Sequence, residues 1–197
     1  QFDKLLVIKT VGNVVMLGSC LSGEQQRGGQ EEGLAQLLRL SLRLEHKLNK
    51  GRKGGASSIN LRCGVQFGPV TAAVMGINQL NFDVFGTTVN GASRLLTAGC
   101  MMNSQCQQRS TIAVSEAVIS ALSAASDGVQ LMNLLQWSEP FTICAKGLGE
   151  VSVRTSTIPA DDGSGTTSNT QLDSACGVSA STADGDAPTS VSIQEIN

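Results

Sequence analysis

The chain has 197 residues, with 14 Lys and Arg against 16 Asp and Glu, 41% hydrophobic residues, one histidine and no tyrosine. That length allows one well-buried domain plus an appendage. A single histidine, His46, leaves almost no material for a His-based zinc site or a Ser-His-Asp triad, and no run of 18 apolar residues is present to cross a membrane as a helix.

Taken in chain order, Leu5 to Ile8 and Val14 to Leu17 are short apolar runs separated by a segment ending in Gly12-Asn13, which predicts a β-hairpin. A Gly/Gln/Glu-rich connection follows. Residues 31–50 then carry Leu34, Leu37, Leu38, Leu44 and Leu48 at helical spacing, acids first and bases last, as the helix dipole prefers, and Gly51 with Gly54-Gly55 ends that helix. Strands are predicted over 59–67, 69–75 and 81–85, the last stopping at Gly86, and together they read as one antiparallel region. Thr87 or Thr88 can cap a helix running to about Thr97 and closed by Gly99. A strand over 111–114, a short helix over 116–123 and two strands near 141–145 and 151–155, around the polar turn 146–150, complete the pattern. The class is α+β, a mostly antiparallel sheet with helices on one face.

From Pro159 to Asn197 there are six acidic residues, no Lys or Arg, and little hydrophobic periodicity, so residues 159–197 are expected to be disordered. Without them, residues 1–158 hold all 14 basic but only 10 acidic residues, a net charge of +4 that suits a polyphosphate. Four of those bases, Lys47, Lys50, Arg52 and Lys53, fall in one polar stretch that reads more simply as a solvated loop. The six cysteines form no CxxC pair, and several lie in apolar runs, as buried free thiols of a reducing compartment do. Trp137, Met75, Met101 and Met102 read as packing residues, and a chain with five Phe, one Trp and no Tyr lacks the stacking surface of an RNA-recognition sheet.

Four segments set polar side chains beside glycine: IKTVGN with Lys9 and Asn13, FDVFG with Asp83, TTVNGASR with Asn90 and Arg94, and KGLGE with Lys146. Each has an ordinary explanation alone. Asn90 and Arg94, at i and i+4, share one helix face that is commonly just solvated; Lys146 fits a turn and Asp83 an exposed strand position. No P-loop and no GxGxxG is present.

Together and in this order, IKTVGN, LRCGVQFGPVTAAVMG, FDVFGTTVNGASRLLTAG and AKGLGEVSVRT resemble the class III nucleotidyl cyclase catalytic domain, and in particular the second catalytic domain of two-domain adenylyl cyclases. The resemblance covers roughly residues 2–158. It implies a ferredoxin-like α+β fold, here without its first strand and helix, and a substrate, ATP, converted to 3′,5′-cyclic AMP and pyrophosphate. By the same likeness Lys9 and Asp83 would read adenine, where guanylyl relatives carry glutamate and cysteine. Arg94 would stabilise charge at the α-phosphate, Asn90 would hold the ribose, and Lys146 would pair with the terminal phosphates. The two Mg²⁺ or Mn²⁺ ions of this class are held by two aspartates, and Asn13 stands where the second is expected. A neutral amide is a poor ligand for a hard cation, so the likeness implies metals held by a second cyclase domain. It also implies a cytoplasmic domain of a larger membrane-associated protein. Two other readings are a non-catalytic regulatory or dimerisation domain and a guanylyl cyclase half.

Overall fold

The computed structural model describes residues 4–21, 29–49, 59–101, 109–158 and 189–196. Nine strands and four helices form along them: β1 (Leu5–Val11), β2 (Val14–Ser19), α1 (Gly29–Asn49), β3 (Leu61–Gly68), β4 (Thr71–Met75), β5 (Asn81–Phe85), α2 (Thr87–Met101), β6 (Thr111–Ser115), α3 (Glu116–Ala124), α4 (Gly128–Leu134), β7 (Phe141–Ala145), β8 (Gly149–Thr157) and β9 (Thr189–Ile196). Seven strands form one sheet in the order β1-β2-β9-β3-β6-β8-β7, and β4 and β5 form a separate two-stranded ribbon. Every neighbouring pair is antiparallel except β3 with β6. The α+β class therefore holds. The expectation of one antiparallel region over residues 59–85 is corrected: β3 joins the main sheet, whereas β4 and β5 leave it after Pro69, which lacks the N–H needed to continue a ladder.

The hairpin forms as its sequence directs. Val11 pairs with Val14 across Gly12-Asn13, and Gly12 has φ +60°, the left-handed first position of a type II′ turn. The long helix α1 buries Leu34, Ala35, Leu37, Leu38 and Leu42. Its Leu34 and Leu38 pack with Leu61, Cys63 and Val65 of β3, Ile112 and Val114 of β6, and Val118 and Leu122 of α3 in the principal core. Each such leucine contributes about 1.5–3 kcal/mol by leaving water. Arg39 of α1 donates from Nη1 to Glu32 at 3.1 Å and from Nη2 to Asp127 at 2.5 Å, which ties the start of α4 to the same helix. Trp137 packs against this core as expected, but Met75 is exposed; Met102 lies outside the described residues.

Helices cover both faces of the sheet, not one. Cys63 and Val65 face α1, so Gly64 between them must face the other way, and a Cβ there would run into the backbone of α2 at the Ala92 carbonyl and the Leu96 amide. Likewise Ala113 packs with Leu95 of α2 and Val153, whereas its neighbours Ile112 and Val114 belong to the α1 side. The small residue types of β3 and β6 therefore mark the face on which α2 lies close. Gly99, expected to close that helix, sits inside it: a Cβ at Gly99 would come within 2.9 Å of Ala113 Cβ, so this glycine serves close packing rather than termination.

The expected disorder over residues 159–197 does not extend to their last part. Thr189–Ile196 form β9, paired antiparallel to β2 from Val14 to Gly18 and to β3 from Leu61 to Gly68. The β-branched Thr189, Val191 and Ile193 recur with the period of a strand, a signal too short to stand out beside the Ser, Thr and Gly before it. Residues 159–188 lie outside the described residues.

Candidate active site

The site is built where β1 meets the ribbon. In β1 the register shifts between Val7, opposite Leu17, and Lys9, opposite Met16, so Ile8 is an extra residue. Such a bulge bends a strand and re-aims the next side chain. Lys9 then reaches Asp83 of β5: its Nζ donates to Oδ1 at 2.9 Å and to Oδ2 at 2.7 Å. The Val84 N–H also donates to Asp83 Oδ1 at 2.9 Å. These bonds, that from Lys9 foremost and that from Val84 next, hold the Asp83 carboxyl below the usual aspartate value. Both side chains remain accessible, Lys9 at 41% and Asp83 at 21%. A lysine ammonium has three protons and a carboxylate about four lone-pair sites, so the pair keeps one donor and open acceptors for a third molecule.

Asp83 leads through Gly86, whose φ of +135° favours glycine, into α2. The Asn90 N–H bonds to the Gly86 carbonyl at 3.2 Å, and the Thr88 hydroxyl donates to the Pro69 carbonyl at 2.7 Å. Thr88 thus ties the first turn of α2 to the β3–β4 connection instead of capping the helix. Thr88, Gly91, Ala92, Leu95 and Gly99 form the buried face of α2, and Asn90 and Arg94 are exposed. Among the described residues the side chains of Asn90, Arg94 and Lys146 make no hydrogen bond or ion pair. Lys146 is exposed in the tight turn between β7 and β8, at the opposite edge of the sheet from β1. Between these places runs α2, which packs on β5 and also on β7. Of the five residues singled out in the sequence, one pair is in direct contact, two are exposed one turn apart on α2, and Lys146 stands apart.

Asn13 is exposed in the β1–β2 turn. Among the described residues there is no group of three or more His, Cys, Asp or Glu able to hold a metal ion. Cys63 and Cys144 are free thiols, and burial pushes that of Cys63 up to about 12.

Two features escaped the sequence reading. The bulge at Ile8 has no residue signature of its own. The β4–β5 ribbon exposes Val74, Met75, Ile77, Leu80, Phe82 and Phe85, with Ile77 at 99% and Leu80 at 71%; the run VMGINQLNFDVF is apolar enough for a core, and only the fold reveals that it projects from it. No described helix is long and apolar enough to cross a membrane.

Comparison with known proteins agrees with this architecture. Residues 1–140 match the family model of the adenylate and guanylate cyclase catalytic domain. Atrial natriuretic peptide receptor 2 of Rattus norvegicus and of Homo sapiens are each 34% identical over 94 residues, 47% of this chain but only 9% of the receptor. The guanylate cyclase domain of RhGC from Catenaria anguillulae, solved in complex with GTP, superposes with a TM-score of 0.52 at 19% identity, over 78% of this chain and 72% of that one. The catalytic core of a rhodopsin-guanylyl cyclase with converted specificity, solved with ATPαS, gives 0.54 at 22% identity, over 79% and 72%. The chain belongs to the adenylate and guanylate cyclase catalytic domain family.

Proposed function

We propose that this chain is the substrate-reading half of an adenylyl cyclase, which converts ATP to 3′,5′-cyclic AMP and pyrophosphate at an interface with a second, metal-binding cyclase domain. The Lys9–Asp83 pair carries the reading. Adenine presents an acceptor at N1 and a donor at N6, and a lysine hydrogen-bonded to a carboxylate offers the complementary donor and acceptor side by side. Guanine reverses that pattern and would leave both protein groups facing like partners, at a cost of about 1–3 kcal/mol for each polar group left unsatisfied.

Chemistry then requires a 3′ hydroxyl held in line with the α-phosphorus. Its oxygen forms the new P–O bond, it gives up its proton, and the bond to the β-phosphate oxygen breaks to release pyrophosphate. Asn90 orients the ribose, and Arg94, a cation with no ion-pair partner among the described residues, stabilises charge developing on the α-phosphate. Lys146 pairs with the terminal phosphates. A nucleoside triphosphate carries its base and terminal phosphate at opposite ends, in keeping with the separation of Lys146 from Lys9. Magnesium or manganese would supply charge neutralisation at the phosphates, and the neutral Asn13 amide is why the proposal gives those ions to the partner domain. The apolar ribbon face of Val74, Ile77, Leu80 and Phe82 is the surface that domain would cover. The same reading takes residues 1–158, whose sheet β9 completes, as the catalytic domain and sets it on the cytoplasmic side of a longer, membrane-associated protein.

A guanylyl cyclase half is the second reading, favoured by the relatives whose names include guanylate or guanylyl cyclase. Reconstitution separates the two: mixed with a metal-binding cyclase domain and Mg²⁺ or Mn²⁺, this chain should give cyclic AMP from ATP. Activity of the isolated chain equal to that of the mixture would overturn the half-site reading. Failure to bind a non-hydrolysable ATP analogue in the complex, with Lys9→Ala unchanged, would favour a non-catalytic dimerisation domain.

A further inference from the structure

The aim of Lys9 depends on how its strand is seated. β1 carries a break in register directly before Lys9, where Ile8 is the extra residue, and Ile8 is also the one side chain from Leu6 to Val11 that is not exposed. Its end reaches a notch in the neighbouring strand. Gly18 of β2 stands, by strand alternation, on the face that carries Val14 and Met16 against Ala92 of α2. A Cβ on Gly18 would fall 3.0 Å from Ile8 Cδ1 and 2.8 Å from Leu21 Cδ1. These two methyl groups therefore share the space that a side chain at residue 18 would take.

The backbone brings Leu21 there. Cys20, with φ +56°, is the one non-glycine residue of positive φ among the described residues, and its Sγ donates to the Gly29 carbonyl at 3.0 Å. A left-handed residue turns the chain at the end of β2, and Leu21 comes back over Gly18. Such a conformation is strained for any residue with a Cβ. What it achieves here is closure of the notch in which Ile8 ends.

We propose that Ile8, Gly18 and Leu21 are positioning residues for base recognition: Ile8, anchored at the Gly18 notch, holds the bulge that turns Lys9 onto Asp83 and so presents the pair to the base. This role rests on the reading of Lys9 and Asp83 as the base-reading pair. None of the three needs to touch the nucleotide. A lysine ammonium on a flexible four-carbon stem can point in many directions, whereas the bonds to Asp83 at 2.9 and 2.7 Å require it at one place. An anchored bulge supplies that constraint by fixing where the strand bends and where the next side chain leaves it. Val7 lies opposite Leu17 and Lys9 opposite Met16, consecutive residues of β2, so removal of Ile8 would leave a regular ladder with every other pair kept.

Deletion of Ile8 in the full chain is accordingly the sharpest test. Lys9 stays opposite Met16 but loses its aim, so the Asp83 pKa, read by carboxyl-carbon NMR, should rise toward the ordinary aspartate value as in Lys9→Ala. Reconstituted with a metal-binding cyclase domain, the deletion should lower kcat/KM for ATP by about 10- to 100-fold, the loss expected for Lys9 itself, chiefly through KM, and adding Lys9→Ala should cost nothing more. Gly18→Ala is the milder probe, since its methyl displaces only the flexible ends of Ile8 and Leu21. It should lower kcat/KM for ATP by about threefold to tenfold, and Ile8→Val, which lacks Cδ1, should restore most of the loss. Should the deletion fail to fold, the Gly18→Ala loss and its rescue decide alone, and a loss that Ile8→Val leaves in place would overturn the role of the notch. An Asp83 pKa and a KM for ATP that neither change moves, while Lys9→Ala moves both, would overturn it too and leave the base-reading pair intact. A wild-type preference for GTP, with the Asp83 pKa still rising on deletion of Ile8, would instead overturn adenine reading and uphold the seat of Lys9.

Discussion

Two groups of charges on this molecule differ in how the fold treats them. Lys9 and Asp83 come from strands 74 residues apart and meet in a two-point hydrogen bond, whereas Arg94 and Lys146 stand exposed with no ion-pair partner among the described residues. A pre-formed pair suits a group that must present a fixed pattern of donor and acceptor to a neutral base. Free cations suit a polyanion, because an arginine already neutralised by a carboxylate would have to give up that partner before it could meet a phosphate. The difference teaches where selectivity resides in the proposed site, in the pair, and where rate enhancement resides, in the unpaired cations.

The largest effect should come from the unpaired side. Arg94→Ala in the reconstituted enzyme should lower kcat by about 10²–10³, the usual cost of deleting one donor aimed at developing charge, while the exposed position leaves the melting temperature nearly unchanged. A steep fall in thermal stability instead would make Arg94 a structural residue. Next in size, Lys9→Ala should reduce kcat/KM for ATP by about 10- to 100-fold through the loss of a hydrogen bond to the base, and the exchange Lys9→Glu with Asp83→Cys should shift preference toward GTP. Lys146→Ala should be milder, raising KM for ATP by about tenfold or less as one exposed phosphate contact is lost.

The smallest effect is a titration. Lys9→Ala should raise the Asp83 pKa toward the ordinary aspartate value, read by carboxyl-carbon NMR. Because the folded-state pKa is depressed, the contribution of the pair to stability is present above the unfolded-state pKa and is lost as pH falls through the folded one. It should therefore be constant across neutral and mildly acidic pH and vanish only below the ordinary aspartate range. An Asp83 pKa that does not respond to Lys9→Ala would mean that the contact does not persist in solution.

Much of this was legible in the sequence where local signals and global packing agree. The hairpin over Gly12-Asn13, the leucine-lined α1 and the strand Asn81–Phe85 each follow from turn chemistry or periodicity confined to a few residues. The pairing of Lys9 with Asp83 rested on resemblance, because no local rule brings residues so distant together. What the sequence hid depends on long-range geometry. A helix period shows which face of α2 is apolar but not which side of the sheet it meets, so Gly64 and Ala113 became informative only once α2 lay against them. The strand β9 was masked by the composition before it, since three β-branched residues outweigh little until two waiting strand edges satisfy their backbone.

In the proposed function the Lys9–Asp83 pair makes this chain a reader of adenine. Its most direct test is the ratio of kcat/KM for ATP to that for GTP in the full chain reconstituted with a metal-binding cyclase domain. The expected ratio is well above one, and Lys9→Glu with Asp83→Cys should invert it. A wild-type preference for GTP, or a ratio indifferent to those two positions, would contradict it.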